Sequence, residues 1–150
     1  MPLRDNHDGH LSENVEMYLK TILLLEHDTQ APSKTGDISK ELKVSPAAVT
    51  EMLERLQEEG LVRHEKYKGT KLTREGARRA RAVMRKHCVM ERFLVDTLEM
   101  RDVDFHDQAC KLEHVVSDEM ALRMTRLAKI RPECPDCYDR KAKHCSKLTV

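Results

Sequence analysis

Apolar residues at Leu11, Val15, Tyr18, Leu19, Ile22 and Leu23 recur at intervals of three and four and form one face of a helix over 12–26, with Ser12 as its N-cap. Met17 does not belong to that face. At about 100° per residue it points nearly opposite Val15, alongside Leu24, so this helix has a second apolar side that needs another contact, either a second domain or a ligand. A polar stretch over 27–34 containing Pro32 reads as a loop, and a short helix over 37–42 turns Ile38 and Leu42 inward. Ser45 then caps, and Pro46 opens, a helix that runs to Glu59 and stops at Gly60, with Val49, Met52, Leu53 and Leu56 as its buried stripe. Two short helices around a tight turn make a helix-turn-helix. Residues 61–73 have no helical period and read as two strands joined by a turn at Lys68-Gly69, a wing. A long helix over 73–98 follows, then a short loop near 100–104. Another helix begins at about Phe105, Ser117 breaks or restarts it, and a last helix reaches about Lys129. The fold class is therefore mainly α with a small β-hairpin wing.

Composition narrows the function. The longest apolar run is four residues, so neither a membrane span nor a signal-peptide core is expected, and the chain reads as cytoplasmic with no membrane partner. With no Trp and only two Phe and three Tyr, the chain offers no platform for stacking single-stranded bases. Five Cys, an odd number, argue against a secreted disulfide framework and point to thiols used for metal binding in a reducing compartment. The net charge of +1 hides an asymmetry. From Lys34 to Lys86 there are 14 basic and 8 acidic residues, a local +6 that leaves −5 for the rest. A basic segment joined to an acidic one suits a reader of double-stranded DNA coupled to a sensor. Ser45, Ala47, Ala48, Glu51 and Arg55 are the groove-facing candidates, and Arg63, Lys66, Lys68 and Lys71 would bind phosphates by charge.

The candidate chemistry sits further along. His106, Cys110, Glu113 and His114 are at i, i+4, i+7 and i+8, which lays two imidazoles, a thiol and a carboxylate along one helical stripe. Burying four such groups without partners is costly, and a divalent cation removes that cost because all are first-row metal ligands. His87 and Glu91, at i and i+4 on the preceding helix, add two more donors if the helices pack together, and Met17 adds a seventh. In the tail over 131–150, Cys134, Cys137, His144 and Cys145 have the composition of a structural zinc or iron–sulfur site.

These residues carry a resemblance. Glu16-Met17-Tyr18-Leu19-Lys20-Thr21-Ile22, Ala82-Val83-Met84-Arg85-Lys86-His87, Glu91-Arg92 with Leu94, and His106-Asp107-Gln108-Ala109-Cys110 through Glu113-His114-Val115 to Ser117-Asp118-Glu119 resemble, in order, the diphtheria-toxin-repressor family of iron-dependent repressors over about residues 12 to 130. Val44-Ser45-Pro46 and Glu65-Lys66-Tyr67-Lys68-Gly69 look closer to its manganese-responsive branch. The resemblance implies a winged-helix domain over 1–74 and a helical dimerisation and metal-binding domain over 75–150, without the third, small β-barrel domain of the longer members. It implies a primary metal site at Met17, Cys110, Glu113 and His114, and an ancillary site at His87, Glu91 and His106. The manganese branch has acidic residues where this chain has Met17 and Cys110, and sulfur ligands favour Fe(II), or Co(II), Ni(II) and Zn(II), over Mn(II). Cys88 stands where the iron branch has an arginine that helps hold an anion beside the ancillary metal, so that anion is not carried over. Ala47, Ala48 and Glu51 also differ from the family, so no operator sequence is carried over.

The expected function is thus that of an Fe(II)-responsive repressor, a homodimer that binds operator DNA when metal joins Met17 to the second domain. A manganese- or zinc-responsive regulator of the same fold, or a winged-helix regulator switched by oxidation of Cys134 and Cys137, are the alternatives. No nucleophile motif or phosphate-binding loop supports an enzyme.

Overall fold

The computed structural model describes residues 11–101 and 104–129. Helix α1 (Glu13–Thr29) is capped by the Ser12 hydroxyl, and α2 (Thr35–Leu42) starts two residues before its apolar period does, at Thr35. Helix α3 (Pro46–Glu58) begins as its sequence dictates: the Ser45 hydroxyl accepts from the Ala48 N–H at 3.1 Å, and Pro46 fills the first turn, where no N–H partner is required. Gly60 ends it at φ 71°, a conformation that is cheap only for glycine.

The wing pairs β1 (Val62–Glu65) with β2 (Gly69–Leu72) in antiparallel register, Val62 opposite Leu72 and Glu65 opposite Gly69. The turn therefore falls on residues 66–68 rather than on Lys68-Gly69, with Tyr67 at φ 68°. Ser33 adds a bridge on the outer side of β2, exchanging two backbone hydrogen bonds of 2.8 Å with Thr70. Two side chains on neighbouring helices also hold the hairpin. The Gln57 carboxamide oxygen on α3 accepts from the His64 N–H at 2.7 Å, and the Glu26 carboxylate on α1 accepts from the Leu72 N–H at 2.8 Å.

Helix α4 (Arg74–Arg92) belongs to two cores. Its first half contributes Ala80 and Met84 to a cluster containing Leu19, Ile22, Ile38, Val49, Leu53, Leu56 and Leu61, all fully buried. Its second half contributes Cys88, Val89 and Met90 to a second cluster with Leu94, Val95, Phe105, Ala109 and Val116. The helix starts so close to the first domain's backbone that a Cβ on Gly76 would sit 1.9 Å from the Leu61 carbonyl oxygen, so only glycine fits there. The expected single helix to residue 98 is not uniform. Phe93–Thr97 widens into a π-helical turn in which Leu98 N–H donates to the Phe93 carbonyl at 3.1 Å. That wider turn takes up an extra residue and sets both Leu94 and Val95 into the second core before the chain turns at Glu99 (φ 57°). Helices α5 (Phe105–Leu112) and α6 (Asp118–Leu127) complete the described structure, α6 restarting at a Ser117 cap. Among the described residues no helix is long and apolar enough to cross a membrane.

Candidate metal centre

Three elements converge where the two cores meet. Helix α1 brings Glu16, Met17 and Lys20; α4 brings His87 and Glu91; α5 and the residues that end it bring His106, Cys110, Glu113 and His114. The packing of α4 on both α1 and α5 places these side chains together.

One end of the cluster joins α1 to the end of α5. His114 Nε2 lies 3.0 Å from Met17 Sδ and 3.2 Å from Glu113 Oε1, while His114 Nδ1 donates to Glu16 Oε2 at 2.8 Å. At the other end, His87 Nε2 donates to Glu91 Oε1 at 3.0 Å, and His106 Nδ1 donates to the same oxygen. Glu113 links the two ends: its Oε2 accepts from His87 Nδ1 at 2.6 Å and its Oε1 from the Lys20 ammonium at 2.6 Å. The Glu113 side chain is wholly buried and that of Glu91 nearly so. Cys110 Sγ sits 3.6 Å from His106 Nε2 and 3.8 Å from His87 Nδ1. The resemblance grouped Cys110 with Met17, Glu113 and His114. In this structure its thiol lies instead with His87 and His106, and the ligand atoms of those three residues are within 4.8 Å of one another.

The electrostatics follow from these contacts. Burial alone disfavours a charged His87, but its bonds to Cys110, Glu113 and Glu91 outweigh burial and carry it to about 11. His106 rises to about 9 through Cys110 and Glu91. His114 rises to about 9 because Glu113 and Glu16 overcome its burial. Burial would raise Cys110, yet contact with His106 and His87 brings the thiol down to about 6. Glu113 falls to about 2, since His114, His87 and Lys20 overcome its burial. Lys20 and three imidazoles thus face three carboxylates and a thiol, so the buried polar groups satisfy one another. Without their protons the imidazoles become neutral nitrogen donors beside carboxylate oxygen, thiolate and thioether, a donor set that fits a first-row divalent cation.

All seven expected ligands therefore fall in one connected cluster. Two further members, Glu16 and Lys20, were not anticipated. The signal for them was available, because positions 16, 17 and 20 share one face of α1. Cys134, Cys137, His144 and Cys145 lie outside the described residues.

The expected DNA-facing residues are exposed: Ser45, Ala47, Ala48, Glu51 and Arg55 along α3, and Arg63, Lys66, Lys68 and Lys71 on the wing. Two of the basic groups carry intramolecular partners, Arg55 with Glu59 at 2.9 Å and Lys68 with Glu65 at 2.7 Å. Tyr67, not singled out from sequence, stands 95% exposed at the wing tip, and no described residue buries it.

Known proteins resemble this chain over both of its halves. Residues 10–70 match the model of the iron dependent repressor N-terminal DNA-binding domain, and residues 73–140 match that of the iron dependent repressor metal-binding and dimerisation domain. An uncharacterised HTH-type transcriptional regulator of Methanocaldococcus jannaschii is 37% identical over 114 residues, covering 76% of this chain and 91% of its own length. The diphtheria toxin repressor of Corynebacterium diphtheriae is 36% identical over 119 residues, covering 79% of this chain and 52% of its own, so the chain spans about half of that relative. Among solved structures, a manganese-dependent transcriptional repressor in complex with manganese superposes with a TM-score of 0.71 at 33% identity, over 78% of this chain and 53% of that one. ScaR with bound Zn2+ superposes with a TM-score of 0.67 at 36% identity, over 82% of this chain and 57% of that one.

Proposed function

Because the chain belongs to the iron-dependent repressor family of metal-dependent, DNA-binding transcriptional regulators, we propose that it is a homodimeric repressor whose binding to operator DNA is activated by a divalent metal, with Fe(II) as the metal in the cell. The observation that carries the reading is the contact of Met17 on α1 with His114 beyond α5. It ties the helix-turn-helix half of the molecule to the second half through groups that are themselves metal donors. Met17, Glu113 and His114 would hold one cation and His87, Glu91 and His106 a second, with the Cys110 thiol, which lies beside His87 and His106, as a further donor. A bound cation supplies charge that makes ionised carboxylate and thiolate, and neutral imidazole, the favoured forms there.

The chain's own groups do the rest. Met17 and Glu16 fix α1, and α1 packs against α2, β2 and α4, so their position sets where α3 and the wing point. A dimer reading successive major grooves needs its recognition helices about 34 Å apart. A cation bound more tightly by that arrangement than by others shifts the population toward it. Exposed apolar residues on α6 and just before it, Val115, Met120, Leu122 and Leu127, support a dimer through the second domain.

Thioether and thiolate donors at Met17 and Cys110 favour Fe(II), Co(II), Ni(II) or Zn(II) over Mn(II). The test is DNA binding titrated in parallel with anaerobic Fe(II), Mn(II), Zn(II) and chelator, for the wild type, Met17→Ala and Cys110→Ala. Metal-dependent binding that weakens in both variants is expected. Metal dependence unchanged by either substitution removes the proposed role of these ligands.

A further inference from the structure

Glu113 is the most heavily engaged carboxylate in the cluster. Three nitrogen donors bond it: the Lys20 ammonium and His114 on Oε1, and His87 on Oε2. The imidazoles are themselves metal donors, so they can stay beside Glu113 and share a cation with it after losing their protons. Lys20 is different. Its ammonium has three donors and no acceptor, it cannot ligate while charged, and it occupies Oε1, the oxygen that faces His114 and, through it, Met17. The side chain is only 11% exposed. This is no loose surface pair: the ammonium sits almost out of solvent against a fully buried carboxylate.

Its place on α1 is also informative. Lys20 is three residues after Met17 and four after Glu16, so one helical face supplies a thioether donor, a carboxylate and a fixed positive charge to the same small volume. We propose that Lys20 is the resident cation of Glu113, which an incoming divalent metal must displace, and that this competition raises the metal concentration at which the site fills. The inference rests on the reading that Met17, Glu113 and His114 bind metal. The Lys20 bond also fastens α1 to the end of α5, holding the donors close while keeping Oε1 occupied. Metal uptake therefore exchanges one cation for another on Glu113, and Lys20 must swing toward solvent as the site fills.

The experiment uses Co(II) titrated into the full chain against a competing chelator, following the Co(II) absorption bands and, separately, the melting of the metal-free protein. Lys20→Gln and Lys20→Met remove the charge, and either suffices should the other not fold. Lys20→Arg keeps it, and Met17→Ala removes a ligand. A charged, buried hydrogen bond is worth enough that its removal is expected to tighten Co(II) binding about tenfold. The metal-free form of those variants should melt lower, and Lys20→Arg should bind within about threefold of wild type, since the charge remains. If Met17→Ala loses one Co(II) per chain while Lys20→Gln and Lys20→Met bind with wild-type affinity or weaker, the role of Lys20 is refuted and the site stands. If Met17→Ala binds Co(II) as the wild type does, the site reading fails and this inference falls with it. If Lys20→Arg binds as tightly as Lys20→Gln, charge is not the cause and the inference is overturned.

Discussion

Replacing Glu113 by Gln keeps the shape of a wholly buried side chain and removes its charge. The carboxyl is held at about 2 against an ordinary 4.5. At about 1.4 kcal/mol per pH unit, that difference corresponds to about 3 kcal/mol of stability at pH 7. A second route gives a similar figure, since breaking a buried ion pair by deleting one partner costs about 3–5 kcal/mol. The lower end applies here, because His87 and His114 can become neutral and Lys20 can reach solvent. The folded value lies below the unfolded one, so the contribution is complete above about pH 4.5 and is lost as the pH falls through about 2. Urea unfolding of chelator-treated wild type and Glu113→Gln at a series of pH values checks this. The variant should be about 3 kcal/mol less stable at pH 7, and the gap should shrink below pH 4.5. A gap under about 1 kcal/mol at pH 7, or one that does not change down to pH 3, refutes the assignment of Glu113 as the ionised centre of the cluster.

Three further outcomes follow from the same geometry. Metal uptake by the wild type should release protons and tighten as the pH rises toward 9, because His106 and His114 hold their protons to about 9 and must lose them to become ligands; proton release measured in weakly buffered solution checks this. Gly76→Ala should cost more than about 2 kcal/mol and lower the melting temperature, since its Cβ would overlap the Leu61 carbonyl and backbone cannot yield as a side chain does. Lys66→Ala and Lys71→Ala, on exposed wing positions, should each reduce the salt slope of DNA binding by about one without changing sequence preference, as measured by titration at several ionic strengths.

The readable parts of the sequence were those whose information is local. Ser45-Pro46 and Gly60 bound α3 because a cap hydroxyl, a proline at the first turn and a left-handed residue each solve a one-residue problem. Met17 was legible as out of place on α1, and the structure provides its contact at His114. The π-helical turn at Phe93–Thr97 had no such signature, since its apolar spacing fits an α-helix and only the packing of the second core selects the wider form. The turn of the wing lies one to two residues earlier than Lys68-Gly69 suggests: it falls on residues 66–68, with both Tyr67 and Gly69 at positive φ. The grouping of Cys110 with His87 and His106 depends on which way one thiol rotates between α4 and α5, and helical spacing does not encode that choice. Glu16 and Lys20 share a helical face with Met17, but acidic and basic residues are ordinary on a helix, and their burial against His114 and Glu113 is what sets them apart.

Helix α1 is pinned at both ends to different things. Near its start Met17 meets His114, and near its finish the Glu26 carboxylate holds the Leu72 N–H of the hairpin at 2.8 Å. Nine residues, about 13 Å of stiff rod, separate the two pins. A displacement at the first pin would be carried to the second by the helix itself, whose backbone hydrogen bonds keep its length fixed. A chain that exchanged Glu26 for a residue unable to accept from Leu72 would lose one of the ties between this rod and the hairpin while leaving the contact of Met17 with His114 untouched.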